Sequence, residues 1–183
     1  MSTANYERIR DLIQDGDFVF FKAEALKQRI ICWFTGGKHS HCGIANWMTD
    51  DLGKRRLMLV ESFVGGCRMV TMSSYASRGM DVLSIEDMDW AEQSEYVMSK
   101  TGKVHYGTFD FITIGVRDLL IRLGFRNSWI LNHLPNGEGE VCSEMLADVI
   151  ARFKPMQSTL VSPADLYRTI HERKYALRQL TAD

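Results

Sequence analysis

Apolar residues recur with a period near two through the first half of the chain and with a period near 3.6 through much of the second. The stretches Asp17-Phe18-Val19-Phe20-Phe21-Lys22, His41 to Trp47, Arg56 to Phe63, Cys67 to Met72 and Met80 to Ile85 are rich in β-branched and aromatic residues. Turn formers at Asp15-Gly16, Asp50-Asp51-Leu52-Gly53 and Gly65-Gly66 bound them, so five strands are predicted, with a hairpin or bulge at the Gly pair. Helical spacing predicts helices over Tyr6 to Ile13, Ala23 to Phe34, Asp89 to Lys100 and Thr108 to Leu123, with a helical turn over Ser73 to Arg78. In the second of these, Leu26, Ile30, Ile31 and Phe34 share one face. Asp89 is placed to cap the third. Thr35-Gly36-Gly37-Lys38 reads as a loop. The stretch from Phe125 to Glu140 has no period and reads as an irregular excursion. Ser162 and Pro163 open a last helix as cap and first-turn proline, and the charged tail from His171 is expected to fray. Strands first and helices later predict an α+β fold with a largely antiparallel sheet. No repeat, low-complexity tract or linker divides the chain, so residues 1–183 are expected to form one domain.

The stretch Val141-Cys142-Ser143-Glu144-Met145-Leu146-Ala147-Asp148-Val149-Ile150 follows a turn-rich segment and has its apolar positions at helical spacing. A helix therefore begins near Cys142. The unpaired N–H groups and partial positive charge of a helix N-terminus stabilise a thiolate over a thiol. A small buried residue at a helix start would look the same, because free cysteine is often buried. Glu138 and Glu140 oppose ionisation, since nearby negative charge raises a thiol pKa.

A cysteine nucleophile needs a base and a group that orients it. Of the five histidines His39, His41, His105, His133 and His171, His41 opens a strand after a Gly-rich loop. Gly43 and Ala45 share its face and are expected to leave space above the strand. Glu61 lies inside the apolar strand Leu57-Met58-Leu59-Val60-Glu61-Ser62-Phe63, where a charge must reach solvent or a partner. On a strand beside that of His41 it would accept the imidazole N–H; on an edge strand it would simply face water.

Composition narrows the classes. Hydrophobic residues make up 45% of the 183 and charged residues 25%, with a net charge of −1, so nothing points to nucleic acid or an anionic surface. Cys32, Cys42, Cys67 and Cys142 are scattered without Cys-x-x-Cys spacing, so neither a zinc site nor a disulfide framework nor any other cofactor is expected. No apolar run reaches the ~18 residues that a transmembrane helix needs. The nearest, Phe109 to Phe125, is broken by Asp110, Arg117, Asp118 and Arg122. The start lacks a basic n-region and an apolar h-region, so synthesis in the cytoplasm without a Sec signal is expected, with the periplasm reached by another route if at all.

Five motifs in order carry a resemblance. Asp15-Gly16-Asp17-Phe18-Val19-Phe20 resembles the opening strand of the NlpC-type papain-fold cysteine peptidases. Ser40-His41-Cys42-Gly43-Ile44-Ala45 resembles their histidine strand, and Val60-Glu61-Ser62 the strand of the third polar residue. Val141-Cys142-Ser143-Glu144-Met145 resembles their Cys-Ser-Glu-Leu motif, and Val161-Ser162-Pro163-Ala164-Asp165-Leu166 their C-terminal proline motif. Histidine precedes cysteine, as in the circularly permuted branch that includes YiiX-like proteins and lecithin:retinol acyltransferase-like enzymes. The resemblance implies Cys142 as nucleophile, His41 as base, Glu61 as orienter and Tyr106 in the substrate cleft. It implies a hydrolase that cleaves an amide through a thioester, with peptidoglycan peptides the leading substrate; a delivered effector with an immunity or delivery protein as partner, a phage lysis or tail protein and a wall-recycling enzyme all fit. Acyl transfer or thioester hydrolysis on lipid-like substrates, and an inactive binding module, stay open. Cys42 departs from the family's aliphatic residue at that position, and the long insertion between Tyr106 and Cys142 leaves substrate specificity open.

Overall fold

The computed structural model describes residues 3–63, 66–102, 120, 123–124, 142–156 and 162–182. Helix α1 (Thr3–Arg10) leads into strand β1 (Phe18–Lys22), helix α2 (Leu26–Thr35) and strands β2 (His39–Thr49), β3 (Arg55–Phe63) and β4 (Gly66–Thr71). A 3-10 turn (Met72–Tyr75), strand β5 (Met80–Ile85) and helix α3 (Trp90–Lys100) follow. Helices α4 (Cys142–Ala151) and α5 (Pro163–Glu172) and strand β6 (Ala176–Ala182) complete the described chain. The strands form one six-stranded sheet in the order β4-β3-β2-β1-β5-β6, antiparallel at every pairing. The fold is α+β.

The near-continuous apolar run of β1 has a direct cause. The strand lies inside the sheet and is buried on both faces, so both alternating sets of side chains meet a core. Phe18 and Phe20 join Cys42, Ile44, Val60 and Leu83 beneath α4 and α5. Val19 and Phe21 join Tyr6, Ile9, Ile13, Leu57, Leu59, Met72 and Met80 on the other face, beneath α1 and the 3-10 turn. The predicted caps form. Asp89 Oδ1 accepts from the Ala91 N–H at 2.8 Å, and Ser162 Oγ accepts from the Asp165 N–H at 3.1 Å. At Gly37, a Cβ would stand 2.3 Å from that of Ala164, so only glycine lets the loop before β2 close on the start of α5.

Two expectations, on the tail and on Gly43, are corrected, and the apolar face of α2 is found turned outward. The tail does not fray: residues Ala176–Ala182 pair with β5 and cover an edge whose backbone groups would otherwise lack partners. Leu26 and Ile30 do not face the core, being 75% and 48% exposed, and Trp33 is 67% exposed beside them. Gly43 does not leave open space, because a Cβ there would lie 2.7 Å from the Val60 carbonyl oxygen and 2.8 Å from a Leu59 methyl. The expected helix over Thr108 to Leu123 and the excursion from Phe125 to Glu140 fall almost wholly outside the described residues. No helix among the described residues is long and apolar enough to cross a membrane.

A charged knot holds β6 in place. Arg178 donates from Nη2 to Asp17 Oδ2 at 2.7 Å and from Nη1 to the Leu12 carbonyl at 2.6 Å. Asp17 is buried and also accepts from the Gln14 N–H at 2.8 Å. Arg178→Ala is expected to destabilise the protein by about 2 kcal/mol, the cost of leaving a buried charge without its strongest donor. The check is the urea unfolding midpoint; an unchanged midpoint would show that β6 is held by its ladder alone.

Candidate active site

Strand β2 is the platform of the site, and it changes neighbours along its length. Its ladder with β1 runs from His39 to Ile44, whereas its ladder with β3 begins at Ile44 opposite Val60 and runs the other way. Before Ile44, β2 therefore has no β3 partner and the two strands part. The N–H of Ala45 points to β1, donating to the Asp17 carbonyl at 2.8 Å. Successive N–H groups of an antiparallel strand point to opposite sides, so that of Cys42 points into the gap.

Cys142, the first residue of α4, meets that gap. Its thiol lies close enough to the Cys42 thiol, the Cys42 backbone and the His41 ring for each of them to lower its pKa. His41 and Cys42 are consecutive and face opposite sides of the sheet. His41 lies with Phe21 on the α1 side and Cys42 with Phe20 on the α4 side. A sulfur in contact with both must sit where the sheet opens. Cys142 is 1% exposed and Cys42 0%.

Glu61 has no exposed surface, and every partner it has is accounted for by register or contact. His41 Nε2 lies 2.6 Å from Glu61 Oε2. Arg68, directly opposite Glu61 across the β3–β4 ladder, donates from Nε at 2.9 Å. The Tyr75 hydroxyl lies 2.9 and 2.8 Å from the two carboxylate oxygens. An aromatic wall fixes the imidazole, with Phe21 stacked at 5.9 Å, Tyr75 at 6.2 Å and the edge of Phe63 at 6.1 Å. Arg78 lies over Phe21 and Tyr75 and donates to Ser40 Oγ at 3.2 Å, bracing the residue before His41.

The electrostatics follow from these contacts. Hydrogen bonding from Cys42, together with the His41 charge, holds the Cys142 thiol well below its usual range against the opposing effect of burial. Burial pushes His41 down, but the Cys142 thiolate and the Glu61 carboxylate outweigh it and raise the imidazole to about 9. Burial pushes Glu61 up; His41, Tyr75 and Arg68 more than reverse it and hold the carboxyl below its ordinary value. Burial and the neighbouring thiolate push Cys42 well up, so it stays a protonated donor. Both shifts favour a thiolate–imidazolium pair over a neutral thiol and imidazole.

The structure thus brings together three of the residues singled out from sequence, Cys142, His41 and Glu61, and adds Cys42, Arg68, Tyr75 and Arg78 around them. Tyr106, the expected cleft tyrosine, and the competing histidines His105 and His133 lie outside the described residues. His39 belongs to a second buried pair, 2.8 Å from Asp81 Oδ2, which also takes Lys38 at 2.8 Å. His171 rests against the Tyr167 ring at 4.5 Å, near that pair. Among the described residues no group of His, Cys, Asp and Glu side chains is arranged to hold a metal ion, and all four cysteines are free thiols.

No family model and no curated protein matches the sequence. Among solved structures, the chain is similar to the metalloprotein YiiX from Escherichia coli O157:H7, at 16% identity and a TM-score of 0.47, over 93% of this chain and 96% of that one.

The ion pair makes a testable statement about pH. The Cys142 thiol is held well below its usual range, and its imidazolium partner persists until the pH approaches about 9. Alkylation of Cys142 by iodoacetamide should therefore be faster at neutral pH than that of Cys32, Cys42 and Cys67, and should rise less steeply with pH than theirs. In His41→Ala the Cys42 contacts remain but the imidazolium is gone, so the rate should be lower at neutral pH and climb more steeply with pH. Peptide mapping of the labelled protein reads both, and faster labelling at any other cysteine would remove Cys142 as the reactive thiol.

Proposed function

We propose that this protein is a cysteine hydrolase with a circularly permuted papain-like fold, cleaving an amide bond through a thioester. The observation that carries this reading is the chain of contacts from the Cys142 thiol to the His41 imidazole to the fully buried Glu61 carboxylate. The motif order His41, Glu61, Cys142 and its resemblance to the NlpC-type peptidases supply the fold and the substrate class, a peptidoglycan peptide.

In this reading the Cys142 thiolate attacks the carbonyl carbon of the amide. The negative charge that develops on oxygen is stabilised by N–H groups at the start of α4, that of Cys142 first. As the tetrahedral intermediate collapses, the C–N bond breaks and the His41 imidazolium gives its proton to the leaving amine. Neutral His41 then takes a proton from water, whose oxygen attacks the thioester. The acid departs and the thiolate–imidazolium pair is restored. Glu61 holds the ring orientation and stabilises the imidazolium; Tyr75 and Arg68 hold Glu61.

A second reading is acyl transfer to an acceptor other than water. The burial of the Cys142 sulfur among Phe18, Phe20, Ile44 and Val60 favours it, since such a setting admits little bulk water. Mass spectrometry after incubation with purified peptidoglycan, with cell lipids and with an electrophilic probe separates the readings. Released peptides support the hydrolase, acylated acceptors the transferase. An unlabelled Cys142 with no product would leave a binding module.

Cys142→Ala and His41→Ala are each expected to abolish turnover without loss of fold, and their combination should be no worse than either alone, because the two act as a unit. Glu61→Gln should fall short of that loss by roughly two orders of magnitude, as expected where an orienter is removed but nucleophile and base remain. Turnover on whichever substrate reacts, with circular dichroism as the fold control, decides it. Normal activity in His41→Ala, with loss in His105→Ala or His133→Ala, would transfer the role of base.

A further inference from the structure

The thiol of Cys42 is not needed by the mechanism above, yet it touches the nucleophile. Cys42 and Cys142 are both buried, belong to the same apolar cluster, and lie close enough for each thiol to shift the other. Cys142 sits on the first turn of α4 and Cys42 on the stretch of β2 that has left β3. Neither backbone is therefore locked by a ladder on the side where the sulfurs meet. Of the other two cysteines, Cys67 directs its thiol to Met145 Sδ at 3.6 Å, and Cys32 lies on α2, outside this cluster.

We infer that Cys42 and Cys142 form a modification site, closing into a reversible disulfide when the protein meets hydrogen peroxide. This rests on Cys142 being the reactive thiolate, as proposed above. The Cys142 thiolate attacks one peroxide oxygen, the O–O bond breaks, and the departing hydroxide takes up a proton as water, leaving a sulfenic acid on Cys142. The Cys42 sulfur, losing its proton, attacks the Cys142 sulfur. The S–O bond breaks and a second water leaves. Two thiols and one peroxide thus become one disulfide and two waters. The consequence is chemical as well as regulatory. The disulfide takes the sulfur away from His41 and silences the site, but it also stops Cys142 from passing on to sulfinic acid, which a thiol reductant does not reverse.

The test uses the full chain, hydrogen peroxide in small molar excess, and a tryptic map under non-reducing conditions. The peptides covering residues 39–54 and 127–152 should appear joined and lighter than their sum by two hydrogens, with Cys32 and Cys67 still alkylatable. Dithiothreitol should restore the iodoacetamide reactivity of Cys142. In Cys42→Ala the same treatment should drive Cys142 to sulfinic acid, and dithiothreitol should not recover it. Sulfinic acid on Cys142 of the unaltered protein with no joined peptide, or a disulfide of Cys142 to Cys67, would overturn the inference. Should Cys42→Ala fail to fold, the map of the unaltered protein decides by itself. The readout needs no substrate, so the two proposals fail separately. A disulfide in a protein that turns over nothing leaves this one standing, and a rapidly alkylated Cys142 that forms no disulfide removes this one alone.

Discussion

A carboxylate with no solvent contact, set on the strand next to the edge of a six-stranded sheet, constrains everything around it. Burying Glu61 unpaired would cost several kcal/mol or force it to protonate. It does neither, because three elements converge on it: β2 brings His41, β4 brings Arg68 through its register, and the 3-10 turn brings Tyr75. The arrangement holds only while β2, β3, β4 and the turn keep their positions. The site is thus a product of the β4-β3-β2 half of the sheet rather than of a loop laid over it. That rigidity is what the proposed role of His41 as base requires, since a small tilt of the ring would move it away from the sulfur.

The second structural condition is the parting of β2 and β3. Had their ladder continued past Ile44, the N–H of Cys42 would be spent on a carbonyl of β3 and the two faces of the sheet would be sealed from each other. Ending it there frees a backbone donor and opens a passage between the faces. A thiol carried on the α4 side then reaches an imidazole carried on the α1 side. Gly43 sits at the point of divergence, and its missing side chain gives room to Leu59 and to the Val60 carbonyl. The glycine serves close packing of β2 on β3 immediately beside the gap, instead of opening space above His41.

How much of this could be read from the sequence varies with how local the signal is. Strands β1 to β5 announce themselves because each pairs an apolar period with turn formers at its ends. Cys142 announces itself by starting a helix. Glu61 stands out because a charge in an apolar strand demands an explanation. Arg68 was within reach: once the Gly65-Gly66 break is taken as a hairpin that pairs Phe63 with Gly66, the register puts Arg68 opposite Glu61. Tyr75 and Arg78 give no such signal, for they arrive through a short turn whose packing is entirely tertiary. Strand β6 was hidden by its composition. Arg178, Gln179 and Thr181 read as solvated tail until β5 supplies an edge and Asp17 supplies a partner. The apolar period of α2 was visible, but period alone does not say which side meets the core. The single-domain reading and Tyr106 rest on the sequence and the resemblance alone.

The two buried histidine–carboxylate pairs show why geometry alone does not make a base. His39 and Asp81 are as close as a catalytic pair, at 2.8 Å, and as deeply buried. Yet His39 is pushed down, first by burial, with Lys38 and Lys22 adding to it against the pull of Asp81. Asp81, despite burial, is held well below the usual carboxylate range, chiefly by His39 and Lys38. Its negative charge is therefore already balanced by lysine, and a neutral His39 need only donate one hydrogen bond. At His41 the sign of the third neighbour is reversed. No lysine ammonium is among the groups that shift it; what stands there is the Cys142 sulfur, and the imidazole is raised to about 9. Burial acts on both rings in the same direction. What separates the two rings is whether the next charge is an ammonium or a sulfur that can ionise, and the start of α4 at the gap in the sheet supplies the latter to His41.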